Sequence, residues 1–175
     1  MMITSGRWVE RSFKFDLPLA MFPGVVERLR GTPARLADRL GGLPEDIRRQ
    51  RSGDGWSIQE HAGHLLELES LWSERIKEFA NGVHVLRAAD MSNRKTTEAG
   101  YNNKLIADIL LSFKNARLEM IAVLEALDEE AIRRTAMHPR LMQPMNVLDF
   151  AFFVAEHDDH HLVKITEILV ACTKH

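Results

Sequence analysis

Four segments of this chain repeat apolar residues at the spacing of an α-helix, and this pattern constrains the fold more than any other feature of the sequence. The segments run from about Pro23 to Leu40, from Ser57 to Asn81, from about Lys104 to Leu127, and from about Asn146 to Cys172. Four amphipathic helices in 175 residues predict an all-α four-helix bundle, folded as a single domain over residues 1–175.

The second helix has the clearest start signal. Ser57 and Glu60 fit a capping box, in which each side chain satisfies a free backbone N–H of the first turn. In the first helix, Thr32-Pro33 interrupts the apolar stripe and predicts a kink or a break, because proline cannot donate the helical hydrogen bond.

Two long segments lie outside these helices. Residues 1–22 read as an extended arm, with a possible strand-like alternation over residues 8–15 and three aromatic side chains that we expect to pack onto the bundle: Trp8, Phe13 and Phe15. The polar stretch from His84 to Asn103 exceeds the usual loop length and predicts a crossover, a functional loop, or both.

The composition excludes several classes of protein. There are 23 Lys and Arg against 25 Asp and Glu, for a formal charge of −2, so no basic surface for nucleic acid or anionic lipid is expected. No apolar run is long enough to span a bilayer, and the charged first residues do not fit a signal peptide. With one cysteine and no intramolecular disulfide, a reducing cytoplasm is the expected compartment.

The histidines of the fourth helix lie on its apolar face. At about 100° per residue, His157 and His161 fall within the apolar stripe, as does Asp158, while His160 lies at its edge. Two imidazoles four residues apart on a buried face are either core histidines bonded to neighbours or two ligands of one metal ion, and the pair favours the metal.

A third ligand should come from the second helix, which contains His61 and His64. The periodicity slightly favours His61, since His64 lies nearer the edge of the stripe. Three other histidines carry weaker signals, because they lie in connections or at the terminus: His84, His138 (within His138-Pro139-Arg140) and His175.

The sequence resembles the DinB-like superfamily of metal-binding four-helix bundles. The residues that carry the resemblance are Trp56-Ser57-Ile58-Gln59-Glu60, then Gly63-His64-Leu65, and later Glu156-His157-Asp158-Asp159-His160-His161. The resemblance covers essentially the whole chain. It implies an up-down-down-up bundle, frequent dimerisation, and a metal site made by His64, His157 and His161.

A divalent metal held by three imidazoles could be zinc, nickel, iron, manganese or copper. Such a site lowers the pKa of a bound water or thiol, so we expect attack on a small-molecule substrate. The resemblance points the same way, since relatives include thiol-dependent transferases, isomerases and hydrolases. A binding protein without catalysis, and a structural or stress-response module with vestigial histidines, are the alternatives.

Two carboxylates, Asp158 and Glu69, are candidate catalytic residues that orient an imidazole or move a proton. The alternative is an internal salt bridge with an inward arginine such as Arg75 or Arg117. Three residues of the long connection could line the mouth of a pocket: Asp90, Asn93 and Arg94.

Overall fold

The computed structural model describes residues 5–51 and 55–172, and its four long helices confirm the predicted bundle. They are α1 (Phe22–Leu40), α3 (Ile58–Ala80), α5 (Ile106–Glu125) and α7 (Val147–Cys172). Three short helices lie between them: α2 (Glu45–Arg49), α4 (Arg94–Glu98) and α6 (Glu129–Arg133). Residues 1–4 of the predicted arm, and His175, lie outside the described residues.

Contacts between the long helices give their directions. Arg28 of α1 meets Asp159 of α7, and Arg39, eleven residues later, meets Thr166, so α1 and α7 run parallel. In the same way, α3 and α5 run parallel, with Gln59 bonded to Lys104 O and Glu69 to Arg117. Helices α3 and α7 run antiparallel, with His61 against His161 and Phe79 against Phe150. This is the up-down-down-up order, which the long connection after α3 permits.

The capping box that begins α3 is present as predicted. Ser57 Oγ accepts a hydrogen bond from the backbone N–H of Glu60 at 3.1 Å, and Glu60 Oε2 accepts one from the N–H of Ser57 at 2.8 Å. The first turn of α3 is therefore fixed by its own sequence. This matters because His61 and His64 follow directly.

Helix α1 continues through Pro33, so the predicted break does not occur. Pro33 has no N–H to donate to the carbonyl of Leu29, four residues earlier. The buried guanidinium of Arg117 on α5 donates to Leu29 O instead, at 3.3 Å. A side chain from a neighbouring helix thus satisfies the carbonyl that proline leaves free.

The connection after α3 packs back onto that helix. The ring of Tyr101 covers Gly63, where an added Cβ would lie 2.2 Å from Tyr101 Cγ. Only glycine allows this approach, which explains the glycine in Gly63-His64-Leu65 and brings the connection beside His64.

The N-terminal arm packs onto α7, as predicted, but it forms no strand over the described part of residues 8–15. A 3₁₀ turn covers Trp8–Glu10, and the ring centroid of Trp8 lies 5.2 Å from that of Phe153 and 5.0 Å from that of His157. Asp149 anchors the end of the arm by accepting from the N–H groups of Asp16 and Leu17.

An antiparallel hairpin that the sequence reading did not predict precedes α7. Strand β1 (Thr135–His138) pairs with β2 (Gln143–Asn146), and Val85 adds an isolated parallel bridge to Met137. The hairpin turn carries His138-Pro139-Arg140 to one end of the space between α3 and α7.

Among the described residues, no helix combines the length and the hydropathy needed to cross a membrane.

Candidate metal centre

The start of α3 is buried on all sides. Every residue from Ser57 to Leu65 is buried, because α5, α7 and the long connection surround these two turns. Both His61 (8% exposed) and His64 (5% exposed) are therefore inside the protein. Helical spacing, which assumes a single buried face, slightly favours His61 and does not predict that both are buried. On α7, His157 and His161 are buried as the apolar stripe predicts.

His64, His157 and His161 come together between α3 and α7. One ring nitrogen of each lies within 4.8 Å of the others. Nε2 of His157 and Nε2 of His161 are 3.2 Å apart, close to the edge of about 3.3 Å that a tetrahedral zinc site with ordinary Zn–N bonds requires. This is the set that the resemblance implies, and the three imidazoles could hold one metal ion.

A hydrogen-bonded chain from the long connection orients His64. Thr96 Oγ1 donates to Glu67 Oε2 at 2.9 Å, and His64 Nδ1 lies 2.9 Å from the same hydroxyl. The threonine hydroxyl has one proton, which it donates in the hydrogen bond to the carboxylate of Glu67. It must therefore accept a hydrogen bond from Nδ1–H of His64. The lone pair of His64 then resides on Nε2, where it is free to bind a cation.

His61 plays a similar part for His161. Nδ1 of His61 lies 2.8 Å from Nδ1 of His161, so when His161 carries its proton on Nδ1 and donates it to His61, Nε2 of His161 is unprotonated. Trp56 covers this region, with its ring centroid 4.5 Å from that of His64 and 5.5 Å from that of His61. His61 thus contacts the cluster of three without belonging to it.

Burial keeps these imidazoles neutral. It lowers the pKa of His64 to about 4 and that of His61 to about 3, with nearby His64 adding to the effect on His61. Burial also lowers the pKa of His157 and of His161 well below the ordinary value. Nδ1 of His157 is buried without a hydrogen-bond partner among the described residues, so no protein group fixes the tautomer of this ring. Neutral imidazoles are a donor set that fits a divalent cation.

The two candidate carboxylates form the alternative that the sequence left open, an internal salt bridge. Arg117 Nη2 donates to Glu69 Oε1 at 2.6 Å and to Asp158 Oδ1 at 3.1 Å, and all three side chains are buried. Neither carboxylate has a hydrogen bond to a histidine in the described part of the chain. A catalytic role for Glu69 or Asp158 stays a prediction, and the geometry gives both a structural partner.

A cavity of about 780 Å³ lies beside the histidines. Its lining includes the three histidines of the cluster, and aromatic rings form much of its wall, among them Trp8, Trp56, Trp72 and Phe153. From the long connection, Asp90 and Asn93 line the cavity as expected, whereas Arg94 does not and lies 3.6 Å from Glu98.

Thr96 and Glu67 are the residues near His64 that the sequence reading missed. Thr96 lies 32 positions beyond His64 in the short helix α4, and helical spacing within α3 carries no information about a separate element. A glutamate three residues after a histidine on one helix is a weak signal, which alone predicts no partnership.

Comparisons with known proteins agree with this architecture. YfiT from Bacillus subtilis, described as a probable metal-dependent hydrolase with an unusual four-helix bundle topology, superposes with a TM-score of 0.80 at 16% identity, covering 94% of each chain. The mycothiol-dependent maleylpyruvate isomerase superposes with a TM-score of 0.66 at 10% identity. That match covers 86% of this chain, which spans 62% of the isomerase.

No curated protein sequence matches the chain. At these identities the structural likenesses establish the fold alone. The sequence profile of the DinB superfamily matches residues 28–165, which include α3, α5, the three clustered histidines and most of α1 and α7. The chain therefore belongs to the DinB superfamily.

Proposed function

We propose that this chain is a metal-dependent enzyme in which His64, His157 and His161 hold one divalent cation beside the substrate cavity. The observation that carries the proposal is the convergence of three buried, neutral imidazoles from two helices at the wall of a 780 Å³ cavity. Structural zinc sites are usually closed by four protein ligands, whereas catalytic sites use three and keep one position for the reactant.

The bound cation would lower the pKa of a water or a low-molecular-weight thiol and so supply a nucleophile for hydrolysis or group transfer. Residues around the three histidines prepare the rings to bind the cation. Thr96 fixes the tautomer of His64, and His61 can accept the Nδ1 proton of His161, which frees Nε2 of that ring. Trp56 covers the imidazoles and limits access of water. The descriptions of the two structural neighbours, a probable hydrolase and a thiol-dependent isomerase, support this class of chemistry.

A non-catalytic metal- or ligand-binding protein, for example in a stress response, is the second candidate. It would contain the same cation but show no turnover with thiol acceptors, esters or amides. Zinc, nickel, iron and manganese all suit the ligand set. A homodimer and a cytoplasmic location remain predictions.

Protein purified without an affinity tag should contain about one divalent metal ion per chain by mass spectrometry. His161→Ala should lower metal affinity by more than about 100-fold, because changes outside the ligand shell already cost about 10- to 100-fold. His84→Ala is the matched control, since His84 is exposed and outside the cluster. Metal-free wild-type protein that takes up no added zinc, nickel, iron or manganese contradicts the proposal.

Thr96→Val should weaken metal binding by about 10- to 100-fold, measured by competition with a chromophoric chelator. The substitution keeps the shape of the side chain but removes the acceptor that holds the proton on Nδ1 of His64. Thr97→Val is the control on the same short helix, because Thr97 is exposed and bonds only to its own backbone turn. Equal affinities for the Thr96 and Thr97 variants would show that the hydroxyl does not support His64.

A further inference from the structure

Two arginines line the cavity without a carboxylate partner. Arg75 is buried and donates through Nε and Nη2 to the carbonyl of Arg87, at 3.0 and 2.7 Å. Arg140 donates through Nη1 to the carbonyl of Val9 at 3.3 Å. Over the described ranges, no Asp or Glu pairs with either guanidinium. A guanidinium keeps its charge in proteins, so two positive charges face this space uncompensated.

Two acidic groups near this space form ion pairs with other cations. Glu78, one turn after Arg75, binds Arg87, with Oε1 2.7 Å from the Nε of Arg87. Glu167, which lines the same cavity, pairs with Lys164 at 3.0 Å. Asp90, which also lines the cavity, accepts two hydrogen bonds from Ser92. Glu78 attracts the positive charge of Arg75 without forming an ion pair with it. Over the described residues, no carboxylate therefore makes an ion pair with Arg75 or Arg140.

His138 adds a third donor that points at Arg75. Its Nδ1 accepts from the backbone N–H groups of Arg140 and Leu141, at 3.3 and 3.2 Å. A backbone amide can only donate, so a neutral His138 must carry its proton on Nε2. That Nε2 lies 3.3 Å from Nη1 of Arg75, so two donors face one another with no acceptor between them.

Two more buried donors on the cavity wall lack an acceptor within the described chain. They are Nη2 of Arg140 and Nε1 of Trp72. A buried donor without an acceptor is costly, and here such donors share one cavity with two unpaired cations. One anion would satisfy both the hydrogen bonds and the charge, whereas water would satisfy only the former.

We propose that Arg75, His138 and Arg140 form a binding site for the carboxylate of a small organic substrate with an apolar body. The aromatic wall of Trp8, Trp72 and Phe153 would contact that body. The ring of Trp72 lies between the two ends of the cavity, 5.6 Å from the guanidinium carbon of Arg75 and 5.8 Å from the ring of His157. A carboxylate bound at the arginines therefore directs the rest of the molecule past Trp72 toward the histidines.

Describing this ligand as the substrate rests on the proposed function, but the binding site itself can be tested without metal. Chelator-treated protein is titrated calorimetrically with 3-phenylpropanoate, with its neutral isostere 3-phenylpropanamide, and with inorganic phosphate. The carboxylate should bind at least about tenfold more tightly than the amide. Phosphate should bind more weakly than the carboxylate, because it does not use the aromatic wall.

Arg140→Gln should weaken binding of 3-phenylpropanoate by at least about tenfold, and Arg140→Lys by less, because it keeps the charge. Arg133→Gln is the matched control, since Arg133 is exposed, belongs to the segment just before the hairpin, and pairs with Glu129. Arg140 lies in the hairpin turn, so its variants are expected to fold, and circular dichroism checks this.

The outcomes distinguish this site from the metal centre. Equal binding of carboxylate and amide, an Arg140→Gln variant that binds like the wild type, tighter binding of phosphate, or no binding of any probe overturns the proposal. Binding through Arg140 in a protein that never takes up metal refutes the proposed function and leaves the carboxylate site standing. Metal uptake without carboxylate binding overturns the carboxylate site and leaves the proposed function standing.

Discussion

Replacing Arg117 by methionine should lower the free energy of unfolding by about 3–5 kcal/mol at pH 7.5, the usual cost of removing one partner from a buried ion pair. The carboxyl groups of Glu69 and Asp158 would lose the cation that pairs with them inside the bundle. The carbonyl of Leu29 would also lose its donor, because Pro33 cannot replace it. Urea denaturation followed by circular dichroism measures the loss.

Two controls test the reason for that loss. In the triple variant Glu69→Met, Arg117→Met, Asp158→Leu the charges are removed together, and most of the stability should return, because apolar side chains of similar size often replace a buried charged triad without loss. Arg30→Met removes a partly exposed surface arginine that pairs with Glu27 and Glu125, and should leave the denaturation midpoint nearly unchanged. If the Arg117 variant were as stable as the Arg30 variant, the three charges would not depend on one another.

The same triad shows where sequence reasoning reached its limit. Helical spacing placed Glu69 and Asp158 on inner faces, and Arg117 was named as a possible partner. Spacing gives the direction of a side chain on its own helix, but it does not give the relative shift of two packed helices along their axes. The choice between a catalytic carboxylate and a salt bridge depends on that shift, because it decides which side chains lie opposite one another, so it could not be made before the fold was known.

The helices themselves were largely predictable because their signals are local. The Ser57–Glu60 capping box marks the start of α3, and the apolar period marks the length of all four long helices within a few residues. The hairpin was not predictable in this way. Its strands have four residues each, β2 contains Pro144, and its turn has no glycine but places Met142 at a φ of 52°. None of the usual hairpin residues is present.

The histidine cluster was partly predictable. The His157 and His161 pair follows from the period of α7 alone. The choice of His64 came from family resemblance, since periodicity leaned toward His61, and the structure buries both. The supporting residue Thr96 and the donors Arg75, His138 and Arg140 come from three segments distant in sequence. Only the packing of the long connection and the hairpin onto α3 brings Thr96 to His64, and His138 and Arg140 to the cavity beside Arg75.

The metal-free protein should lose about 3–5 kcal/mol of stability between pH 7.5 and pH 5.5. In the unfolded chain, histidines take up protons near pH 6.5, whereas in the folded protein His64 does so near a pKa of about 4 and His61 near about 3. The pKa of His157 and of His161 is also far below its ordinary value. Over this range the unfolded state binds more protons, so stability falls as the pH falls.

The size of the effect follows from five buried imidazoles, because burial also lowers the pKa of His138 to about 3, and each contributes up to about 1.4 kcal/mol over this range. Glu69 acts in the opposite direction, because burial raises the pKa of its carboxyl to about 7 despite the attraction of Arg117, and it offsets part of the sum. Around His61, positive charge on His160 and Lys164 adds to the penalty for protonation, while Glu167 opposes it.

Urea denaturation of chelator-treated protein at pH 7.5, 6.5 and 5.5 measures this dependence. His161→Leu removes one of the five imidazoles and should reduce the pH-dependent loss by up to about 1.4 kcal/mol, whatever it does to the stability at a single pH. His84→Ala should leave the pH dependence unchanged, because His84 is exposed. A midpoint that stays constant from pH 7.5 to pH 5.5 would mean that the imidazoles are protonated as readily in the folded protein as in water. The cluster would then be hydrated rather than buried, and it would lack the neutral, desolvated donors on which a tight metal site depends.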